Sequence, residues 1–306
     1  FPGGCAIGRR PIDTHLKALA DLGAEITHEK DSYFIKFDEF KSTEVTLSEP
    51  SVTATENILM FLCNYEKNFI LKNCAIEPEV TALIETLNQA GAKIESINER
   101  DFSIFGSENL LLDEVKMIPD RIEAFSYLVG FLVTGGSGEI DNFPFEHMKE
   151  PMELLKHSGV EFELLADNLT VYKAGELKSF NINTAPYPGF PTDMQSPMSL
   201  IASVAHGTSR INETMFENRL AYIDQLIQMG LNAKILNKHE VEITGPCILK
   251  AAQFEALDLR SGITLVLAAL AAQGQSVIEK GEIIDRGYEN LIDKLRSLGA
   301  QITKND

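Results

Sequence analysis

The sequence predicts a two-domain α/β protein with helices inside and sheets outside, assembled from units of about 70 residues. Three observations predict it. Glycines recur at 23, 91, 159, 230 and 299, separated by 68, 68, 71 and 69 residues. Each ends a helical pattern (LADLGAEI, LNQAGAKI, LLKHSGVEF, LIQMGLNAKI, KLRSLGAQI) and precedes a strand-like stretch. Some helical stretches, such as 263–272, are apolar nearly all round, so they are expected to be buried within a domain rather than laid on its surface.

The elements follow in chain order. Ile12, Leu16, Leu19 and Leu22 form the stripe of a first helix that starts at Pro11 and ends at Gly23, a residue suited to the left-handed position after a helix. Further helices begin near 53, 120, 192 and 258 (TATENILMFL, DRIEAFSYLVGFL, TDMQSPMSLIASV, DLRSGITLVLAAL). Each lies about 36–41 residues ahead of the next glycine and is followed by a short strand, FILKN, GEIDN, SRINE or SVIEK. A loop leads from each strand into the next glycine-ended helix. Alternating segments such as AEITHE, DNLTVYK and EVEITG then give strands, often in hairpins. Asp285 is expected to cap the last helix, striped by Leu291, Ile292, Leu295 and Leu298. The unit is therefore strand, helix, strand, helix, strand pair (βαβαββ). Only half of the first unit is present, so the chain starting at Phe1 reads as part of a longer one. The boundary between the two domains is expected at residues 118 and 119, leaving 1–118 as the remainder of the first.

Composition excludes several classes. The 306 residues are 44% apolar and 24% charged, an ordinary globular balance, with a net charge of −18 and no basic block. Nucleic-acid binding by counterion release is therefore excluded, whereas a few placed arginines can still bind a small anion. No apolar run approaches the roughly 20 residues that span a bilayer, and no stretch reads as a signal peptide. Four cysteines (5, 63, 74, 247) without CxxC spacing fit a reducing, cytoplasmic setting. The six scattered histidines read as surface or packing residues, so no metal and no cofactor is expected.

The loops leading into the glycine-ended helices carry the chemistry. The first holds Cys5 to Arg10, the second IEPE (76–79), the fourth FENR (216–219) and the fifth IDRG (284–287). Arg10 and Arg286 each lie 13 residues before their glycine, so both are expected at a helix start, where backbone N–H groups favour an anion. Arg260 opens another helix. A set of arginines at helix starts in so acidic a chain points to a phosphate or carboxylate ligand. The alternative is that each pairs with a neighbouring aspartate, Asp258 or Asp285, and only locks its loop. Cys5, among Gly3, Gly4 and Gly8 and close to Arg9 and Arg10, reads as a reactive thiol rather than a buried one. Whether it acts as nucleophile or acid is left open by the spacing. Asp193, after two prolines in YPGFPTDMQ, reads on its own segment as a plain N-cap.

PGGCAIGRRPID, SVTATEN, PDRIEA, TAPYPGFPTDMQ, FENR, DLR and IDRGYE, in this order, resemble the UDP-N-acetylglucosamine enolpyruvyl transferase (1-carboxyvinyltransferase) family, within the EPSP synthase superfamily. The resemblance covers essentially the whole chain. It implies two hinged domains of three repeats each, every domain an inside-out α/β barrel, with the site between them and the cysteine loop as lid. It also implies transfer of enolpyruvyl from phosphoenolpyruvate to the 3′-hydroxyl of UDP-N-acetylglucosamine with release of phosphate, by addition and elimination, the first committed step of peptidoglycan synthesis.

Carried over by motif, Cys5 is the loop thiol that adds to phosphoenolpyruvate and is alkylated by fosfomycin. Asp193 becomes the base facing the sugar hydroxyl, overriding the N-cap reading. Arg10, Arg260 and Arg286 become the clamp on phosphate and carboxylate. Pro11, Ile12, Asp13, Ser51, Val52, Thr53, Asp193 and Met215 become nucleotide-sugar contacts, with Arg219 and Asp258 in support. The implied partners are these two small molecules, without nucleic acid or membrane, and the implied state is a monomer.

The chain departs from the pattern in places. The family's upstream Lys-Asn pair and Arg are not in these 306 residues, so this stretch alone is expected to be inactive while its parent is active. Thr53 stands where glycine is common, and Phe125-Ser126 where Gly-Thr is common; the latter reads as a helix-packing position. Two alternatives are a nucleotide-sugar-binding paralogue without turnover and a carboxyvinyl transferase with another acceptor.

Overall fold

The computed structural model describes residues 12–30 and 32–304. The chain divides into two compact units, one holding residues 12–118 with 186–188, the other 119–185 and 189–304.

The first unit begins with α1 (Asp13–Leu22) and the hairpin β1 (Glu25–Glu29) and β2 (Ser32–Lys36). A complete unit of the repeat follows: β3 (Glu44–Thr46), α2 (Val52–Leu62), β4 (Asn68–Lys72), α3 (Pro78–Gln89), β5 (Lys93–Ser96) and β6 (Phe102–Phe105). Its strands form one sheet in the order β3-β4-β6-β5, the first pair parallel and the others antiparallel. The core joins Leu22, Leu59 and Leu62 to Val45, Phe69, Leu71 and Ile104. In α1 the fully buried stripe is Thr14, Ala18 and Leu22, whereas Leu16 and Leu19, expected at the centre of that face, are only half-buried. The buried face is rotated because Thr14 bonds to the segment ahead of α2, which draws the polar side of the helix inward.

The second unit opens with α4 (Arg121–Thr134), β7 (Gly138–Ile140), α5 (Lys149–His157), β8 (Phe162–Leu165) and β9 (Asn168–Val171). Its sheet, β7-β9-β8, lacks the leading strand because residues 107–120, where that strand would lie, form neither helix nor strand. Next come β10 (Asn181–Asn183), α6 (Thr192–Val204), β11 (Gly207–Asn212), α7 (Ile223–Gln228), β12 (Ala233–Asn237) and β13 (Glu240–Gly245). Their sheet, β10-β11-β13-β12, repeats the order and strand directions of the first unit's sheet. The described chain closes with β14 (Gln253–Glu255), α8 (Leu259–Ala271), β15 (Val277–Glu279) and α9 (Leu291–Ser297). Helices α4, α6 and α8 pack on one another. Residues 194–203 of α6 and 261–268 of α8 are buried throughout, so the helices are inside and the sheets outside, as predicted.

The repeat is visible atom by atom at the five glycines. All have positive φ, from 97° to 125°. Beyond each, the next residue's N–H returns to a leucine carbonyl five residues back: Ala24 to Leu19, Ala92 to Leu87, Val160 to Leu155, Leu231 to Leu226 and Ala300 to Leu295, at 2.9–3.0 Å. This bond of the Schellman motif needs a left-handed residue at the turn, which glycine supplies without strain.

The last helix departs from expectation. Residues Gly281–Arg286 form a 3₁₀ turn, and α9 starts only at Leu291, behind Asn290. Asp285 therefore caps nothing; its carboxylate accepts a bond from Lys304 at 2.8 Å. Leu291 and Leu295 are buried, while Leu298 is exposed. No helix of the described residues is long and apolar enough to cross a membrane.

Candidate functional site

Cys5, Arg10 and Pro11 lie outside the described residues. The other expected site residues are divided between the two units.

In the first unit the starts of α1 and α2 come together. Ile12 precedes α1, half-buried, and Asp13 is exposed in its first turn. Ser51 caps α2, its hydroxyl accepting from the Ala54 N–H at 3.4 Å, with Val52 and Thr53 in the first turn. The Thr14 hydroxyl joins the two helix starts by bonding Ser48 Oγ at 2.8 Å and Glu49 Oε1 at 3.2 Å. His15 lies against the same segment. Burial lowers its pKa, against a hydrogen bond to the Thr53 backbone and the pull of Glu49. Its Nδ1 is buried without a hydrogen-bond partner among the described residues. His15, half-buried against this segment, fits the reading of the histidines as surface or packing residues. The buried cysteines contrast with the reactive thiol expected at Cys5, since burial pushes Cys63 up to about 11 and Cys74 up to about 12.

In the second unit Asp193 is the centre. It is not an N-cap: Pro191 occupies that position, and Asp193 is the second residue of α6. Arg219 Nη2 donates to Asp193 Oδ1, and Arg260 Nε stands 3.3 Å from Oδ2. The Asp193 side chain is 36% exposed, against 5% for Arg219 and 15% for Arg260, so a half-open carboxylate is gripped by two largely buried cations. The neighbour-pairing alternative for Arg260 fails on geometry. Asp258 turns its carboxylate to its own helix start, accepting from the Arg260 and Ser261 N–H groups and the Ser261 hydroxyl, a capping box. The Arg260 side chain is left to reach α6. Burial works against its charge, but Asp193, Tyr288 and Asp120 outweigh that and raise its pKa.

Several supporting residues were not legible in the sequence. Gln195 donates to the Arg219 carbonyl and accepts from Tyr222, fixing the loop that carries Arg219. Glu213 is fully buried; its carboxylate accepts from Thr184, Thr192 and the N–H groups of Met215 and Phe216. It thus curls the loop that presents Met215, itself 41% exposed, beside the first residue of α6. Arg260 Nη1 donates to the Tyr288 hydroxyl at 3.4 Å, and Tyr288 shares a 2.8 Å bond with Ser126. Phe125 is core packing, as expected, but Ser126 is a polar partner rather than packing alone. Arg286 is exposed at the end of the 3₁₀ turn, two residues ahead of Tyr288, and not at the start of an α-helix. No group of three or more His, Cys, Asp or Glu among the described residues is placed to hold a metal.

Chemically, the second-unit group sets one carboxylate between two guanidinium groups. Such a set can hold a phosphate or carboxylate on the guanidinium groups while the aspartate accepts a proton.

A family model described as EPSP synthase (3-phosphoshikimate 1-carboxyvinyltransferase) matches residues 1–295. The UDP-N-acetylglucosamine 1-carboxyvinyltransferase of Campylobacter jejuni subsp. jejuni serotype O:23/36 is 42% identical over 306 residues, covering 99% of this chain and 73% of its own. That of Koribacter versatilis is 40% identical over 304 residues, covering 99% and 70%. Among solved structures, the enolpyruvyl transferase NikO from Streptomyces tendae superposes with a TM-score of 0.87 at 24% identity, over 96% of this chain and 72% of that one. EPSP synthase from Acinetobacter baumannii gives 0.74 at 15%, over 98% and 73%. These two likenesses show the fold. A family model spanning nearly the whole chain, with relatives at 40–42% identity, places this chain in the EPSP synthase family, alongside its UDP-N-acetylglucosamine 1-carboxyvinyltransferase members.

Proposed function

We propose that the protein transfers the enolpyruvyl group of phosphoenolpyruvate to the 3′-hydroxyl of UDP-N-acetylglucosamine, releasing phosphate, at the entry to peptidoglycan synthesis. The observation that carries the reading is the Asp193 carboxylate held between Arg219 and Arg260 in a chain whose 42% identical relative bears that activity's name.

The chemistry asks for three proton movements and one anion clamp. Adding a proton to the methylene carbon of phosphoenolpyruvate makes its C2 electrophilic. The sugar 3′-oxygen adds there as its proton leaves to a base, giving a tetrahedral ketal. Loss of phosphate and of one methyl proton restores the double bond on the sugar. Asp193 is the base in this scheme, and its partial exposure leaves it open to a hydroxyl. Arg260, with Arg286 and Arg10, binds the phosphate and carboxylate. Its ion pair with Asp193 is long and readily shared with a bound anion. Arg219 stays with Asp193 and aims it. Cys5 supplies the thiol of the first loop, and the starts of α1 and α2, with Ser51, Val52 and Thr53, take the nucleotide. The protein acts in the cytoplasm as a monomer on these two small molecules, with no metal or cofactor.

The test is phosphate release by the full-length protein from phosphoenolpyruvate with UDP-N-acetylglucosamine, and mass spectrometry of the sugar product. Product heavier by one enolpyruvyl group supports the reading. Phosphate release with shikimate 3-phosphate in place of the nucleotide sugar, or with neither acceptor, overturns it.

A further inference from the structure

Arg260 is held at two points, and the proposed function gives work only to the first. Its Nε faces Asp193, while Nη1 donates to the hydroxyl of Tyr288, whose ring centre lies 5.8 Å from the guanidinium carbon. Tyr288 and Ser126 are 1% and 2% exposed, and they are 162 residues apart in sequence.

One arrangement of the hydroxyl protons satisfies every contact in this chain, with Arg260 donating to Tyr288, Tyr288 to Ser126 and Ser126 to Ile122. Ser126 sits on α4, and its hydroxyl donates its one proton to the Ile122 carbonyl at 2.9 Å. Its oxygen can then only accept from Tyr288, at 2.8 Å. The Tyr288 proton is committed to Ser126, so its lone pairs face Arg260. The relay runs one way, from guanidinium to phenol to serine to helix backbone, and it ends on a rigid, buried element. Ser126 alone satisfies the phenol proton, so the Arg260 contact is not needed to bury Tyr288. What that contact does is fix a long, flexible side chain. A guanidinium held at Nε and at Nη1 has both its swing and the tilt of its plane set.

We propose that Tyr288, anchored by Ser126, is a positioning residue that holds the Arg260 guanidinium in register with Asp193 for the anionic substrate. The assignment rests on the carboxyvinyl-transfer reading for the identity of that substrate, phosphoenolpyruvate. Tyr288 touches Arg260 and acts through it. Ser126 thus belongs to the site at one remove, although it stands at a position that reads as helix packing.

The experiment uses the full-length protein with Tyr288→Phe, Ser126→Ala, their combination, and Ser126→Thr, which keeps a hydroxyl. In Tyr288→Phe the KM for phosphoenolpyruvate rises about tenfold, the scale of a modest misplacement of a binding group. The KM for UDP-N-acetylglucosamine stays within twofold. Ser126→Ala moves in the same direction, the double variant is no worse than Tyr288→Phe, and Ser126→Thr retains wild-type values. A folded Tyr288→Phe protein with an unchanged phosphoenolpyruvate KM overturns the proposal, and so do losses that multiply in the double variant. If Tyr288→Phe does not fold, Ser126→Ala decides by the same criteria. A second readout needs no turnover: the Arg260 Nε–H resonance in protein carrying ¹⁵N-arginine. Its exchange with water speeds up about tenfold or more in Tyr288→Phe if the phenol holds the side chain, and unchanged exchange refutes that. A protein without enolpyruvyl transfer but with this resonance effect overturns the proposed function and leaves the positioning role standing.

Discussion

Replacing Asp193 with asparagine separates its chemical role from its structural one. The amide keeps the size of the carboxylate and one oxygen, so it can still accept from Arg219, but it carries no charge and is no base. Arg219 is 5% exposed and would lose its ionic partner, whereas Asp193 itself is 36% exposed and partly hydrated. Removing one partner of a fully buried pair costs about 3–5 kcal/mol. The retained amide oxygen and the partial exposure bring the expected loss down to about 1–2 kcal/mol, which leaves the protein folded at 25 °C. Loss of a positioned general base removes about 10²–10⁴ in rate. We therefore expect kcat to fall about a thousandfold, equivalent to about 4 kcal/mol of activation free energy. The assays are phosphate release under saturating substrates and urea unfolding of the same preparation. A folded variant that keeps more than a tenth of wild-type kcat refutes Asp193 as the base. A variant that unfolds at 25 °C refutes the estimate that the ion pair is local.

Four further outcomes are expected. Gly23→Ala places a Cβ 2.4 Å from the Glu39 carbonyl oxygen at φ 125°, and should cost at least about 2 kcal/mol in urea melts; a loss under 0.5 kcal/mol sinks the helix-end argument. Asp258→Ala removes the cap of α8 and should cost about 1 kcal/mol, with a larger proportional loss in phosphoenolpyruvate binding if Arg260 shifts with the helix start. Glu213→Ala strands two threonine hydroxyls and two backbone N–H groups, and should cost about 3 kcal/mol while raising the KM for the nucleotide sugar through the Met215 loop. His15 has a lowered pKa in the folded protein, so folding favours its neutral form; its stabilising contribution is present above the unfolded value of 6.5 and is lost as pH falls through the lower folded value. His15→Asn should therefore lose less stability than wild type between pH 7 and 5, as read by parallel denaturant titrations.

The repeat was legible because helix ends obey local rules. A glycine after an amphipathic run needs no tertiary information, and all five took the left-handed turn and the same return bond. The last helix start was not legible. Asp285 stands at the right distance from Gly299 by count, but Lys304 claims its carboxylate and residues 281–286 tighten into a 3₁₀ turn. Counting along a repeat preserves position, not cap geometry, so the count that matched Arg286 with Arg10 does not make Arg286 a helix-start residue. The polar supports were illegible for another reason. Ser126 with Tyr288, and Glu213 with Thr184, are pairs distant in sequence whose residue types are ordinary. The packing of α4 and the 281–286 turn against α8 gives the first pair, and the parallel pairing of β10 with β11 gives the second.

The helices that open each unit show how Asp193, the proposed base, differs from the aspartates that cap. Asp120 and Asp258 both occupy the position just before their helix, and both spend an oxygen on backbone N–H groups, Asp120 on Ile122 and Glu123, Asp258 on Arg260 and Ser261. Ser51 does the same for α2. Asp193 stands two residues later, behind a proline at the cap position that makes no side-chain cap bond. At the second helical position the carboxylate is no longer placed as a cap is, while the helix dipole still favours its charge. It is left to bond outward, and two arginines from other segments take its two oxygens. The Pro-Thr-Asp order therefore carries a physical signal. A proline takes the cap position without making a cap bond, and the acidic residue two places behind it is left free of capping to bond outside the helix.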